Sequence, residues 1–214
     1  MRKGETMEEI LERIKEWFSK GDESSKDIVL MPWEVKEITD PKGEVIGLLA
    51  VNPRMPVRFL ATPKEKTIRI AVSLGYKTAY LRGLDRLKAY RTALILNDRL
   101  ELAKFALRGD EDELVLYVDL DKSSLGEDEF NDALSFLFAA VAAISEKLDL
   151  EAEISRQVME SLIAMLQERI NKGMSREDLL KFLTKRVGMS EEEASQIVSV
   201  LTCSSGKGAE SLYS

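Results

Sequence analysis

Residues of the kinds most often recruited for chemistry are scarce in this chain. It contains no histidine and one cysteine, Cys203. That excludes Ser–His and Cys–His nucleophile pairs. It also removes the common zinc sites, whose soft tetrahedral shell needs several thiolates or imidazoles. A lone cysteine makes no disulfide within the chain and fits a reducing cytosol. Carboxylates are plentiful, 38 Asp and Glu against 31 Lys and Arg. Asp119, Asp121 and Ser123 begin like a calcium loop. That loop wants Gly at its sixth position, where Ser124 stands, and Glu at its twelfth, where Phe130 stands. Asp110, Glu111, Asp112 and Glu113 form the longest acidic run and read as a solvated hairpin tip rather than a metal site. Gly206-Lys207-Gly208 lacks the preceding Gly of a phosphate loop and the strand that would feed it. We assign no catalytic, cofactor-binding or metal-ligating residue.

One patch stands apart. Residues 76–99 hold six basic residues against Asp85 and Asp98, a local balance of +4 that leaves −11 for the rest of the chain. Three of the five tyrosines, Tyr76, Tyr80 and Tyr90, lie there too. Lys77, Tyr80, Arg82, Arg86, Tyr90 and Arg91 are the candidate partner-binding residues. They would meet an acidic partner or nucleic acid, unless the chain's own excess carboxylates or a dimer contact neutralise them.

The elements that must position this patch can be read from periodicity. Thr6 and Glu9 form a potential capping box. Behind it Met7, Ile10, Leu11, Ile14, Trp17 and Phe18 fall on one helical face, and Gly21 ends the helix. All five prolines lie in the first 63 residues, among strand-like stretches at 28–38, 45–51, 57–61 and 68–74. Asp40-Pro41-Lys42-Gly43 joins the first two as a hairpin. Residues 45–51 are apolar on both faces and predict a central strand. The Pro53 and Pro56 pair places the third stretch at a sheet edge or after a loop. A helix over 82–96 aligns Leu84, Leu87, Tyr90, Arg91 and Leu94 along one side, with a tight turn at Asn97-Asp98. Strands at 100–107 and 114–120 follow, the second covered on both sides because Val115 and Tyr117 are apolar as well.

From Gly126 the pattern turns helical. Phe130, Leu134, Leu137, Phe138, Val141, Ile144 and Leu148 form an apolar stripe that Phe136 and four alanines widen. Such a helix is buried on more than one side, either between the sheet and later helices or at a subunit interface. Gly173-Met174-Ser175 and Gly188-Met189-Ser190 repeat a tripeptide that ends one helix and caps the next. Helices are therefore expected at 151–172, 175–187 and 190–202, with a disordered tail over 203–214. A DNA-reading helix-turn-helix is a poor fit, because the second helix would begin with Glu191, Glu192 and Glu193.

The fold class predicted is α+β: an antiparallel sheet flanked by helices in the order α-β-β-β-β-α-β-β-α, over residues 1–148, then a three-helix extension over 149–202. At 214 residues the chain buries roughly 70% of its extended surface and needs no staple. Its charge of −7 argues against general nucleic-acid affinity. Charged residues at 32% lean towards a thermophilic source, eight methionines against it. No signal peptide is expected, and the apolar run 133–144 is too short for a membrane span.

The run Leu94-Ile95-Leu96-Asn97, then Leu102-Ala103-Lys104-Phe105, then Val115 to Leu120 before a Glu-rich helix start, resembles the YbjN-like proteins and, more distantly, the type III secretion chaperones. The resemblance covers residues 5–148 and rests on apolar patterns. It implies a compact α+β fold in an acidic, homodimeric protein that binds other polypeptides, with no enzymatic residues to carry over; the expected location is cytoplasmic. The sixty-odd helical residues after Leu148 depart from that family. The expected function is non-enzymatic, chaperone-like protein binding, with apolar residues of the first helix (5–20) and of 130–148 as contact surfaces. The alternative is a nucleic-acid-associated factor that uses the patch at 76–99.

Overall fold

The computed structural model describes residues 6–23, 25, 27–55 and 57–206. They divide into two compact units, Met1–Gln157 and Val158–Ser214. The first unit is an α+β layer structure. Strands β1 (Glu34–Thr39), β2 (Val45–Val51), β3 (Arg58–Pro63) and β4 (Thr67–Lys77) form a meander. A helical excursion then leads to β5 (Lys104–Arg108) and β6 (Glu113–Asp121). All pairings are antiparallel, and the order is β1-β2-β3-β4-β6-β5, so the last strand in is inserted beside β4 and β5 becomes an edge.

Three helices share one face of this sheet and one core. Helix α1 (Met7–Ser19) starts at the capping box: the Thr6 hydroxyl accepts from Glu9 N, and Glu9 accepts from Thr6 N at 2.7 Å. Ile10, Leu11, Ile14 and Phe18 are buried over β1 and β2. Each such side chain contributes about 1.5–3 kcal/mol by leaving water. Phe18 is the hub, 4.8 Å from Phe130 edge-on and 6.0 Å from Phe59, with Trp33 4.9 Å from Phe59. Gly21 lets the chain turn back, since a Cβ there would sit 2.3 Å from the Leu30 carbonyl oxygen.

The stretch expected as a strand over 28–38 becomes one only at Glu34. Upstream, Leu30 N and Met31 N both donate to Asp27 O, and Pro32 has no N–H to offer a ladder. Ile28, Met31 and Trp33 nonetheless plug the core. The hairpin at Asp40 forms as read, with the carboxylate accepting from Lys42 N and Glu44 N. β2 is interior but one place from the edge, and Ile46 bulges out between Gly47 and Val45, so it stays exposed. The third strand follows a loop; Pro56 lies outside the described residues.

Helix α2 (Gly83–Arg99) and helix α3 (Glu127–Leu148) complete the layer. α3 buries Phe130, Leu134, Leu137, Val141, Ile144 and Leu148 against β4 and β6. Its far side remains exposed along Ser135, Phe136, Ala139 and Ala142. On the other face of the sheet Leu49, Leu60, Ala71 and Tyr117 stand in register. Arg69 lies 3.8 Å over the Tyr117 ring and pairs with Asp119 at 2.7 Å. Val115 is buried there, Tyr117 half-buried and Asp119 exposed, so β6, expected to be covered on both sides, is only partly covered on this one.

Helix α4 (Glu151–Asn171) begins in the first unit and continues into the second. The second unit adds α5 (Arg176–Lys181), a π-helical continuation Phe182–Val187, and α6 (Glu191–Gly206). Its core is Leu162, Leu166, Leu179, Phe182, Leu183, Ala194, Val198 and Leu201. Both tripeptide repeats act as read. Gly173 and Gly188 take φ of +85° and +84°, while the Ser175 and Ser190 hydroxyls accept from Asp178 N and Glu193 N. Of the tail expected over 203–214, residues up to Gly206 belong to α6, and 207–214 lie outside the described residues.

Candidate functional site

α2 is the element on which the sequence patch converges, and its packing inverts the usual amphipathic logic. It buries small residues, Ala89 and Ala93, with Leu96. Its large apolar residues face out: Leu84 is 81% exposed, Leu87 60% and Leu94 68%, and Tyr80 just before it is 68% exposed. They run along the side marked by periodicity, with Arg91 between Leu87 and Leu94. The two alanines let α2 lie close against β5 and α3, and that close approach leaves the leucines no room inside.

The C-terminal end of α2 is fixed by side chains. Asn97, read as part of a tight turn, lies in the helix's last turn, because α2 continues to Arg99. Its amide brackets one residue of the edge strand: Oδ1 accepts from Phe105 N at 2.6 Å, and Nδ2 donates to Phe105 O at 3.1 Å. The Lys104 ammonium donates to the Asn97 and Leu100 carbonyls at 3.1 and 3.0 Å, where a cation also suits the helix dipole. Asn97 thus ties α2 to β5 and closes the outward backbone groups of that edge at Phe105.

At the N-terminal end the acidic run is a solvent-facing turn, as read, but Glu111 and Asp112 in it are paired. Glu111 takes the Lys77 ammonium at 2.6 Å and accepts from the Tyr80 hydroxyl. Those bonds, that to Lys77 first, hold the Glu111 carboxyl below its ordinary range; the carboxylate in turn raises Lys77 and Tyr80. Asp112 pairs with Arg86, whose Nε donates to the Tyr90 hydroxyl at 2.7 Å. The Tyr90 and Thr78 hydroxyls close the network on the Asp112 carboxylate and carbonyl, at 3.2 and 2.9 Å. Asp112 itself sits at φ +48°, a left-handed conformation that Asp and Asn tolerate best among non-glycine residues.

The six candidate residues therefore divide. Lys77, Tyr80, Arg86 and Tyr90 are engaged by the turn between β5 and β6. Arg82 and Arg91 are exposed and make no ion pair among the described residues. The exposed leucines form a stripe legible in the sequence; only the alanines opposite signal that the stripe faces out.

Elsewhere, the first helix is no contact surface, because its apolar face is consumed by the core. Asp119 is paired with Arg69, and Asp121 caps Ser123 N at 2.7 Å. Among the described residues no group of three or more acidic or thiol side chains gathers as for a metal. Nor is any helix long and apolar enough to cross a membrane. In the second unit an open groove runs between the two helices around Gly188, with Leu180, Lys181, Thr184, Ser195 and Val200 on its walls.

A six-stranded antiparallel sheet carrying a single helical layer, with an outward apolar helix face and no convergent reactive groups among the described residues, defines a small α+β protein. The chain belongs to the family described as domain of unknown function DUF8183, whose model matches residues 13–148. A second model, HTH_78, also described as a domain of unknown function, matches residues 149–214. No curated protein matches the chain. Among solved structures it is similar to a chain of the heterodimeric ExoU–SpcU complex from the type III secretion system of Pseudomonas aeruginosa. The identity is 22% and the TM-score 0.38, over 51% of this chain and 86% of that one. A likeness of that size carries no argument about function.

Proposed function

We propose that the chain is a non-enzymatic, chaperone-like protein that binds other polypeptides through the outward face of α2 and works as a homodimer. The observation that carries the reading is the row of Leu84, Leu87 and Leu94, three large apolar side chains left in water beside Tyr80. Scattered exposed apolar residues are ordinary, but a contiguous row on one element marks a contact surface. Residues 1–148 would be the binding domain, 149–202 a helical extension to it, in a cytoplasmic protein. The outward stripe of α3 is the surface we assign to the dimer.

A test uses a reduced, aggregating polypeptide followed by light scattering. The wild type suppresses aggregation and the Leu84→Ser/Leu87→Ser variant loses that suppression. Equal suppression by both, or none by either, sinks the reading. The nucleic-acid alternative is weaker, because Lys77 and Arg86 are spent on Glu111 and Asp112. Phosphates also have no use for exposed leucines, and the first turn of α6 carries Glu191, Glu192 and Glu193.

A further inference from the structure

The acidic turn between β5 and β6 reaches the same end of α2 that the contact surface occupies. Glu111 and Asp112 satisfy Lys77, Tyr80, Arg86 and Tyr90, of which Tyr80, Arg86 and Tyr90 lie within about one turn of Leu84 or Leu87 along the chain. Arg82 and Arg91, which the turn does not reach, bracket the two leucines in sequence. The helix thus presents apolar side chains at helical spacing with Arg91 among them and Arg82 at its N-cap. In a chain of net charge −7 such cations are the feature a partner would read. A partner that satisfies both parts carries leucine-like residues at its own helical spacing, flanked by carboxylates.

We propose that the outward face of α2 takes an acidic amphipathic helix, and that the Glu111–Asp112 turn is a built-in competitor for it. The turn presents two carboxylates to the cations an incoming acidic segment would use. Every pair it makes is solvent-facing: the Lys77–Glu111 side chains are 47% and 44% exposed, and those of Arg86–Asp112 40% and 32%. Such pairs are individually weak, so a partner that also buries Leu84, Leu87 and Leu94 can displace them. The turn discriminates: an acidic segment without apolar residues gains only what the turn gives up, while an amphipathic one gains the leucines as well. This inference rests on α2 being the contact surface.

The test titrates a fluorescent synthetic helix, leucines at a and d positions and glutamates elsewhere, with the full chain and with Glu111→Gln/Asp112→Asn. Both substitutions preserve shape, and Asn tolerates the left-handed backbone, so circular dichroism should be unchanged. The wild type binds the peptide, more weakly as salt rises. The double variant binds it about threefold to tenfold tighter, the scale of two exposed ion pairs. The same peptide with serines for leucines binds the wild type at least tenfold more weakly. If the double variant binds no tighter while Leu84→Ser/Leu87→Ser still abolishes binding, the competitor is overturned and the contact surface stands. Equal binding of the serine peptide, or tighter binding of duplex DNA than of the leucine peptide, overturns the acidic helix as partner. No peptide binding by any form overturns the inference, and the aggregation assay then decides separately whether α2 is a contact surface.

Discussion

Asn97 does at residue scale what a turn motif would do over several residues. Its amide supplies one acceptor and one donor to Phe105, two backbone groups that an edge strand would otherwise present outward. Removing a partner from a half-buried polar group costs about 1–3 kcal/mol. Asn97→Ala should therefore lower unfolding stability by about that much in a urea titration. Asn97→Asp should not rescue it, because it keeps the acceptor for Phe105 N but sets an anionic oxygen against the Phe105 carbonyl in the last turn of the helix. The Glu111 cluster yields a prediction of sign. Lys77 and Tyr80 hold the folded carboxyl below its ordinary value. Its contribution is therefore present above the unfolded carboxylate pKa of about 4.3 and is lost as pH falls through the folded value. The melting temperature of Glu111→Gln should lie below wild type at neutral pH, and the gap should close on acidification through that range. A constant gap would show that the bonds to Lys77 and Tyr80 contribute nothing through charge.

At the scale of elements, α2 shows where periodicity stops being informative. The spacing of Leu84, Leu87 and Leu94 is that of a buried face, and Ala89, Ala93 and Leu96 are at helical spacing too. Which set goes inside depends on how close the neighbouring elements lie, a tertiary quantity that helical spacing does not contain. The outcome predicts opposite responses. Leu84→Ser or Leu87→Ser should shift stability by no more than about 0.5 kcal/mol, as surface substitutions do. Ala93→Leu, which forces volume into a filled site, should cost about 1–3 kcal/mol. Chemical denaturation of the three variants would decide, and a large loss at Leu87 would place that side chain inside. Local chemistry was readable wherever it acts through neighbours in sequence: the Thr6–Glu9 box, the Asp40 hairpin, both Gly-Met-Ser repeats. Meander strands with strict alternation, such as 68–74, were readable too. The stretch 28–38 was misread because its apolar residues plug the core from turns around Asp27 and Pro32, which satisfy the backbone without a ladder. The internal use of Lys77 and Arg86 stood among the alternatives, but the partners in the acidic run, separated from them by α2 and β5, became visible only once β6 paired with β4.

At the scale of the whole molecule, the open question is what meets the outer side of α3. A helix whose inner face is filled by Phe130, Leu134, Leu137 and Ile144 has no structural need for Phe136, Ala139 and Ala142 outside. Charged residues there would be more soluble. The alanines allow another helix to approach closely, and Phe136 supplies area to bury. Asp132 at one end and Lys147 at the other are both exposed and make no ion pair among the described residues. A second copy laid antiparallel across the stripe sets Asp132 against Lys147 of that copy at both ends, which is the self-complementarity a two-fold interface requires. Placing Ala139 near the centre makes it the sensitive position. Ala139→Glu should convert the species on a size-exclusion column with light scattering from twice the chain mass to once the mass. Its far-UV circular dichroism and urea midpoint should stay at wild-type values, because the side chain is outside the monomer's core. Lys147→Asp should weaken the dimer, and adding Asp132→Lys should restore it, since the pair is then reversed rather than broken. A wild type that stays monomeric at high micromolar concentration removes the dimer. A dimer that survives Ala139→Glu moves its interface away from α3, with the outward leucines of α2 as the next surface to test.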